Sequence, residues 1–430
     1  MKINKYQALL AVLFLFLPAI IYSQITSPYS RYGIGEINTN SFGRNNAMGG
    51  VGIGMRSSGY LNNLNPASYS SMDSMSFLSD IGLTGKLQVL SLNSAATQHS
   101  KIDFNHFAFG FPIAKFLFTS IGLRPAAINN YHLKNNLSDE GRSGFYEYRG
   151  RGNLSSLYGG FGIKLTQSLS LGTQINYWFG ETWNTNITGF LSEGDNYAGS
   201  KTTLRVNDVF FDFGVQYIFN IKNNKLTLGG VFTPKTALNG NTSFVSGTGN
   251  SITSDGFIAI ATGDTLTFND DKTPRNLPMG FGVGASYNIN NKITLAADYS
   301  TKRWADISLN DKNMMGAAYL GETANTNNYS LGLEWIPNQR TGVKYFERVN
   351  YRVGLRYTDD YLKIDGAQLR DMAVSFGLGL PLRRTNTSIN LSFEIGQKEA
   401  PGKNVFKETY GKFLVSFSLH EYWFMKNKIH

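Results

Sequence analysis

From Ser74 onward the chain alternates hydrophobic and polar residues in paired runs, each pair joined by a short turn and followed by a longer polar stretch. In the clearest unit, residues 208–233, Val209, Phe211, Phe213, Val215, Tyr217 and Phe219 share one face, and Asp208, Asp212, Gly214 and Gln216 share the other. A period of two is that of an extended strand, whose side chains point alternately to opposite sides. Asn223-Asn224 is the expected turn, after which Leu226, Leu228, Gly230 and Phe232 resume the alternation. A second hairpin is predicted over residues 281–299, turning near Asn290-Asn291, and the same grammar recurs over residues 104–123, 157–179, 329–357 and 372–395. Single runs at residues 74–92 and 410–424 flank these hairpins. The total is about fourteen strands, an even number with both ends on one side, as a single-chain bacterial membrane barrel requires.

The spacing between runs points the same way. Connections within hairpins are short, whereas residues 126–156, 181–207 and 234–279 read as long loops rich in Asn, Gly, Ser and Thr. Short turns belong on the periplasmic side and long loops outside. Residues 337–348 predict a larger periplasmic excursion. A soluble β-sandwich also alternates, but its exposed face carries charge. Here charged residues are only 16 % of the chain, and Tyr177, Tyr217, Tyr299, Trp335, Tyr357, Tyr422 and Trp423 stand near strand ends, where interfacial aromatic girdles form.

The N-terminus carries an export address. Lys2 and Lys5 precede an apolar core from Ala8 to Ile21, and Ser23 supplies a small residue before a cut at Gln24. That run is shorter than the ~20 residues a spanning helix needs, and no later run is longer. Any later crossing must be made by strands, because only helices and closed barrels satisfy backbone hydrogen bonds in lipid. The expected organisation is therefore a signal peptide over residues 1–23, a leader over 24–73 and a transmembrane barrel over 74–430. The formal charge of +10 is scattered rather than clustered, so anionic lipid is the expected partner and nucleic acid is not. With no Cys, thiolate metal sites, disulfides and N-terminal lipidation at Cys are excluded.

The leader does not read as strands. It contains Ser30-Arg31-Tyr32-Gly33-Ile34-Gly35, then Ala47-Met48-Gly49-Gly50-Val51-Gly52-Ile53-Gly54, then Leu61-Asn62-Asn63-Leu64-Asn65-Pro66-Ala67-Ser68. Its glycines lack the spacing of a phosphate-binding loop and follow no strand of a βαβ unit. A compact plug fits better, because a barrel of about fourteen strands encloses a lumen that its wall side chains cannot fill. In this order, an export signal, Ala47-Met48-Gly49-Gly50, Asn65-Pro66-Ala67 and then the strands, the chain resembles the FadL-type outer-membrane transporters of long-chain fatty acids and other hydrophobic compounds. It departs from them at its end, where Glu421-Tyr422-Trp423-Phe424 runs on into a tail with Lys426 and Lys428.

The resemblance implies a hatch in the lumen, an apolar groove near the outer loops and a lateral gap that releases ligand into the bilayer. On this reading Asn65, Pro66 and Ala67 shape the hatch, and Gly49, Gly50, Gly52 and Gly54 let it pack closely and rearrange. The inward faces also carry Asp212, Asp298, Glu334, Arg352, Arg356 and Glu394. Arg352 and Arg356 are candidates for a carboxylate headgroup because Arg presents a planar fork of donors. The structural alternative is ion pairing within the lumen, Glu334 and Arg352 lying on neighbouring strands of one hairpin.

Enzymatic readings are weak. His99, His106, His132, His420 and His430 are dispersed without metal-ligand spacing. His106 and His420 have serines nearby, the minimum for a lipase-like dyad. Loop acids such as Glu193 with Asp195, or Asp270 with Asp271, are candidates for Ca²⁺ and read as solvated charge. No cofactor or metal is expected. Two functions remain: passive, hatch-gated uptake of a hydrophobic small molecule, or a non-transporting barrel that serves as a subunit of an outer-membrane secretion or barrel-assembly complex.

Overall fold

The computed structural model describes residues 27–38, 41–139, 142–190, 196–238, 240–253, 257–259, 266–270, 275–307, 323–340, 342–383, 385–403 and 405–422. The signal peptide, the tail with Trp423, Phe424, Lys426 and Lys428, and the loop acids Glu193, Asp195 and Asp271 lie outside them.

Fourteen antiparallel strands make the wall. They are β1 (Ser76–Leu92), β2 (Ala95–Pro112), β3 (Leu117–Ile128), β4 (Arg142–Lys164), β5 (Leu169–Phe190), β6 (Asn196–Ile221) and β7 (Asn224–Thr233). The second half comprises β8 (Gly280–Ile289), β9 (Ile293–Lys302), β10 (Thr326–Trp335), β11 (Asn350–Ile364), β12 (Ala367–Pro381), β13 (Ser388–Glu399) and β14 (Lys407–Tyr422). Each strand pairs with the next, and β14 returns to β1 with Tyr422 opposite Ser76, so the sheet closes without an edge in the membrane. All six predicted hairpins are present.

The alternation has its expected physical meaning. Phe211, Phe213, Val215, Tyr217 and Phe219 are 40–46 % exposed, pointing away from the lumen, while Gln216 between them is fully buried. Tyr299, Tyr329 and Tyr357 stand side by side across β9, β10 and β11 at the outer end, their rings 5.0 and 6.1 Å apart. Trp335 and Tyr351 meet at 5.6 Å, their rings tilted, at the opposite rim. Rings with polar tips sit at both levels where hydrocarbon meets headgroup.

Two expectations about the wall are corrected. The turn after β6 is Lys222-Asn223, with Ile221 opposite Asn224 and Lys222 at φ 56°. Either Asn satisfies turn chemistry, and the apolar alternation on each side fixes facing but not which residue of the pair turns. Residues 126–156 and 181–207 are largely not loops: β4, β5 and β6 run 23, 22 and 26 residues. A tilted membrane strand needs only about 9–11. Beyond the bilayer both faces meet water, so the ladder continues through Asn, Thr, Ser and Gly without the greasy alternation that marks lipid contact. Tyr131–Asp139, Gly240–Gly249 and Leu266–Asp270 join these extensions in one outer sheet.

Ahead of the wall, the leader folds as two short 3-10 turns, Pro28–Arg31 and Pro66–Ser71, and one helical turn, Gly43–Asn46. Contrary to the reading of no strands there, Glu36-Ile37 pairs with Ile128 and Ala127 of β3. The predicted excursion at 337–348 holds the helical turn Tyr345–Arg348.

Candidate functional site

The leader's hydrogen bonds reach inward-facing residues all round the wall, at two levels. At the lower level, Asn65 caps the Pro66–Ser71 turn, its Oδ1 accepting from Ala67 N at 3.0 Å. Its Nδ2 donates to Ile53 O at 2.8 Å and to Val215 O of β6 at 3.2 Å. Pro66 and Ala67 then lie against Gly172 of β5, where a Cβ would stand 2.3 Å from Ala67 N. Tyr69 donates to Gln174 Oε1 at 2.7 Å.

The predicted glycines have separate jobs. Gly49, at φ +70°, passes so close to β11 that its own Cβ would meet Leu355 O at 2.6 Å, and its N–H donates to Ser375 Oγ at 2.8 Å. Gly50, at φ +82°, has open space above it and faces the cavity. Gly52 and Ile53 donate their N–H groups to Asp298 Oδ2 at 2.6 and 2.8 Å. Gly54 rests on the backbone of Ala285 and accepts from Ser286 Oγ at 2.7 Å. A buried carboxylate holding two backbone donors is a strong, directional clamp. Asp298→Asn is therefore expected to loosen the leader by about 1–3 kcal/mol, measured as faster amide exchange at Gly52 and Ile53 with the wall unchanged.

Of the other predicted charges, Glu334 pairs with Arg352 and Arg356 with Glu394. Glu334 accepts from Arg44 of the leader at 2.6 Å and from Arg352 at 2.7 Å, and Arg352 donates on to Asn390 at 2.7 Å. Higher in the lumen Arg356 holds Asp371 at 3.0 Å and Glu394 at 2.8 Å, with Lys412 also 3.2 Å from Glu394. Both arginines thus carry carboxylate partners within the lumen, while Arg352 Nη2 has none and Arg356 also lines the cavity. Asp212 accepts from Asn176 at 2.7 Å and from Thr233. His106 contacts Asp80 and Asn105, each at 2.6 Å, and Ser418 bonds Asp80 rather than the imidazole, so the geometry is not that of a hydrolytic dyad.

At the outer level, Ser27 donates to Glu408 at 2.8 Å, Tyr29 donates to Phe406 O, and Asn38 N–H donates to Ala126 O at 2.9 Å. Tyr29 and Ile34 pack with Trp178, Phe210, Trp304 and Tyr361 in a buried apolar cluster. Between the two levels lies a cavity of about 360 Å³ with Gly50, Ile53 and Pro66 at one side and Tyr29, Glu36 and Tyr361 at the other.

Two features of this cavity were not picked out in the sequence. Arg124 of β3 and Lys302 of β9 both line it, and among the described residues neither side chain has a hydrogen bond or ion pair; Arg124 Nε is buried without a partner. Their only signal was inward phase on a strand, which every luminal residue shares. The second is a seam. β2 and β3 are laddered only from Phe107 opposite Leu123 to Pro112 opposite Phe118. Beyond that point Pro125, which has no N–H, and a register shift before Ala127 make β3 irregular. Leader residues Glu36-Ile37 add to β3 there, and Lys101, Phe104, Arg124, Ile128 and Glu36 all border the cavity.

Solved structures share this architecture at low sequence identity. A FadL homologue from Pseudomonas aeruginosa superposes with a TM-score of 0.58 at 9 % identity, over 90 % of this chain and 100 % of that one. The toluene transporter TbuX of Ralstonia pickettii gives 0.54 at 12 %, over 88 % and 97 %, and the toluene transporter TodX of P. putida gives 0.53 at 12 %, over 89 % and 98 %. Among curated proteins none matches. The fold is thus that of the FadL-type channels, a barrel of the bacterial outer membrane. The model of one family, described as BamG, matches residues 3–430, essentially the whole sequence, and the chain belongs to the BamG family.

Proposed function

We propose that this barrel passes an amphiphile with an anionic head and an apolar body, such as a long-chain fatty acid, with the leader acting as its hatch. The observation that carries this reading is the cavity itself: Arg124 and Lys302 line it without a hydrogen bond or ion pair among the described residues, and Arg124 lies on β3 beside the seam with β2. Arg124 is half-buried with its Nε unpartnered, and an incoming carboxylate satisfies that donor with a charge-assisted hydrogen bond. The body of such a ligand gains roughly 0.8 kcal/mol per CH₂ on leaving water. A sideways exit past Glu36-Ile37 into the bilayer avoids surrendering that gain to the periplasm. The related structures are named for toluene and other monoaromatic hydrocarbons; the unpartnered Nε of Arg124 in this cavity supports a charged head in preference to a bare hydrocarbon.

Arg124→Gln and Lys302→Gln should each weaken oleate binding about tenfold, the loss of one charge-assisted bond, and leave oleyl alcohol binding unchanged, as read by calorimetry on the detergent-solubilised barrel. Equal oleate affinity in both variants would overturn the reading.

A second reading is favoured by the outer sheet that β4, β5 and β6 build beyond the bilayer. A stiff platform of that size suits a protein partner, and on this reading the barrel is a non-transporting subunit of an outer-membrane complex. Isolation from native membrane without detergent discriminates the two. Extractable acyl chains support passage, whereas stoichiometric companion proteins with a lipid-free lumen support the subunit.

A further inference from the structure

The periplasmic connection between β10 and β11, residues 336–349, is folded tightly onto the rim and yet holds two aromatic rings out of it. Ile336 N–H donates to Lys292 O at 2.8 Å, and Asn338 N–H to Glu347 O at 2.8 Å. Gln339 Nε2 reaches Asn291 O in the neighbouring turn at 2.5 Å, and Val349 is 2 % exposed beneath the connection. Against this fixed base Phe346 is 75 % exposed and Tyr345 46 %. An apolar ring held in water by a rigid turn has no stabilising role in the isolated chain, since exposing it forgoes the gain of burial.

Its position names the environment that would cover it. Tyr351 points outward on β11, packs its ring at a tilt against Trp335 of β10 within the lower aromatic girdle, and donates its hydroxyl to Phe346 O at 3.0 Å. The helical turn therefore starts from the lipid-facing circumference of the barrel, at the level where acyl chains give way to headgroups. The connection carries Arg340, Lys344 and Arg348 against a single acid, Glu347. No ion pair engages these three cations among the described residues.

We infer that residues 336–349 form an interfacial anchor that lays Phe346 and Tyr345 into the periplasmic leaflet of the outer membrane and prefers anionic phospholipid there. Aromatic rings at the acyl boundary with basic side chains among headgroups are the pattern of a segment lying on a membrane. Basic residues near an anionic surface each add attraction that salt screens. Continuity with the girdle favours lipid over a protein partner as occupant.

The absence of Cys makes the test direct. Phe346→Cys, and Gln167→Cys in the exposed periplasmic turn between β4 and β5 as the aqueous reference, are spin-labelled in the full-length protein. Each is reconstituted into vesicles of phosphatidylcholine alone and with phosphatidylglycerol. The label at 346 is expected to collide several-fold more with oxygen than with a water-soluble nickel chelate, and the label at 167 the reverse. Adding phosphatidylglycerol should deepen the label at 346, and Lys344→Glu with Arg348→Glu should abolish that deepening. Nickel-dominated collisions at 346 in both vesicle types would overturn the proposal. So would a label that faces water in pure lipid and becomes immobile only in native membranes, which would assign the rings to a protein. Phosphatidylglycerol-independent depth would remove the lipid preference.

Discussion

Replacing Glu334 by Ala is expected to cost about 3–5 kcal/mol of stability, the penalty for breaking a buried ion pair by removing one partner. Glu334 is the only carboxylate bonded to Arg44 and Arg352 among the described residues, and the exposed fractions are 10 % for the Arg44 side chain, 0 % for Arg352 and 3 % for Glu334. Its loss leaves two guanidinium groups facing each other without water. Tyr60, whose ring lies 5.3 and 5.4 Å from the two guanidinium carbons, softens that cost only by a cation–π contact with each. Glu334→Gln should cost less, because one acceptor oxygen survives. The triple replacement Arg44→Met, Glu334→Leu, Arg352→Met should recover most of the loss, since similar apolar volume needs no counter-charge. Urea midpoints, followed by heat-modifiable migration on gels, measure all three. An Ala variant as resistant as the parent would show that water reaches the triad.

The second large effect concerns the seat of the leader. At Gly172 an added Cβ would stand 2.3 Å from Ala67 N and from Pro66 C, and at Gly354 it would stand 2.0 Å from Gly49 N and 2.1 Å from Met48 C. These neighbours are main-chain atoms, so no flexible side chain can swing aside. Both glycines lie in regular ladder positions of β5 and β11 without positive φ, where any residue is tolerated by the strand. Gly172→Val and Gly354→Val should thus leave the barrel assembled and force the leader off its seat. The expected readout in planar bilayers is a change from a closed baseline to a large, steady conductance, with leader cleavage by added protease. Closed channels from well-folded variants of both kinds would mean that the leader does not seal the lumen.

Much of the architecture was written in local pattern. Lipid demands an apolar residue at every second position, so Val209 to Phe219 could be phased, paired into a hairpin and counted without knowing any distance. Where lipid stops, the demand stops too, and the outer halves of β4, β5 and β6 vanished into apparent loops although their backbone ladders are unbroken. Hydropathy reports the solvent on a face; strand pairing is a separate fact. Asn65-Pro66 likewise favours a turn or helix start from sequence alone, and a 3-10 turn begins there, because a side-chain cap and a fixed φ are local devices.

What the luminal residues do was decided elsewhere. Arg352, Arg356, Arg124 and Lys302 are indistinguishable as sequence, each a cation at an inward phase. Only the closed cylinder brings Glu334 and the leader's Arg44 onto Arg352, Asp371 and Glu394 onto Arg356, and leaves Arg124 and Lys302 without an ion pair among the described residues. Alternation within a strand is set by the pleat and survives in any neighbourhood. Charge pairing depends on which strands meet across a lumen and on a leader threaded between them, contacts hundreds of residues apart that closure of the sheet creates.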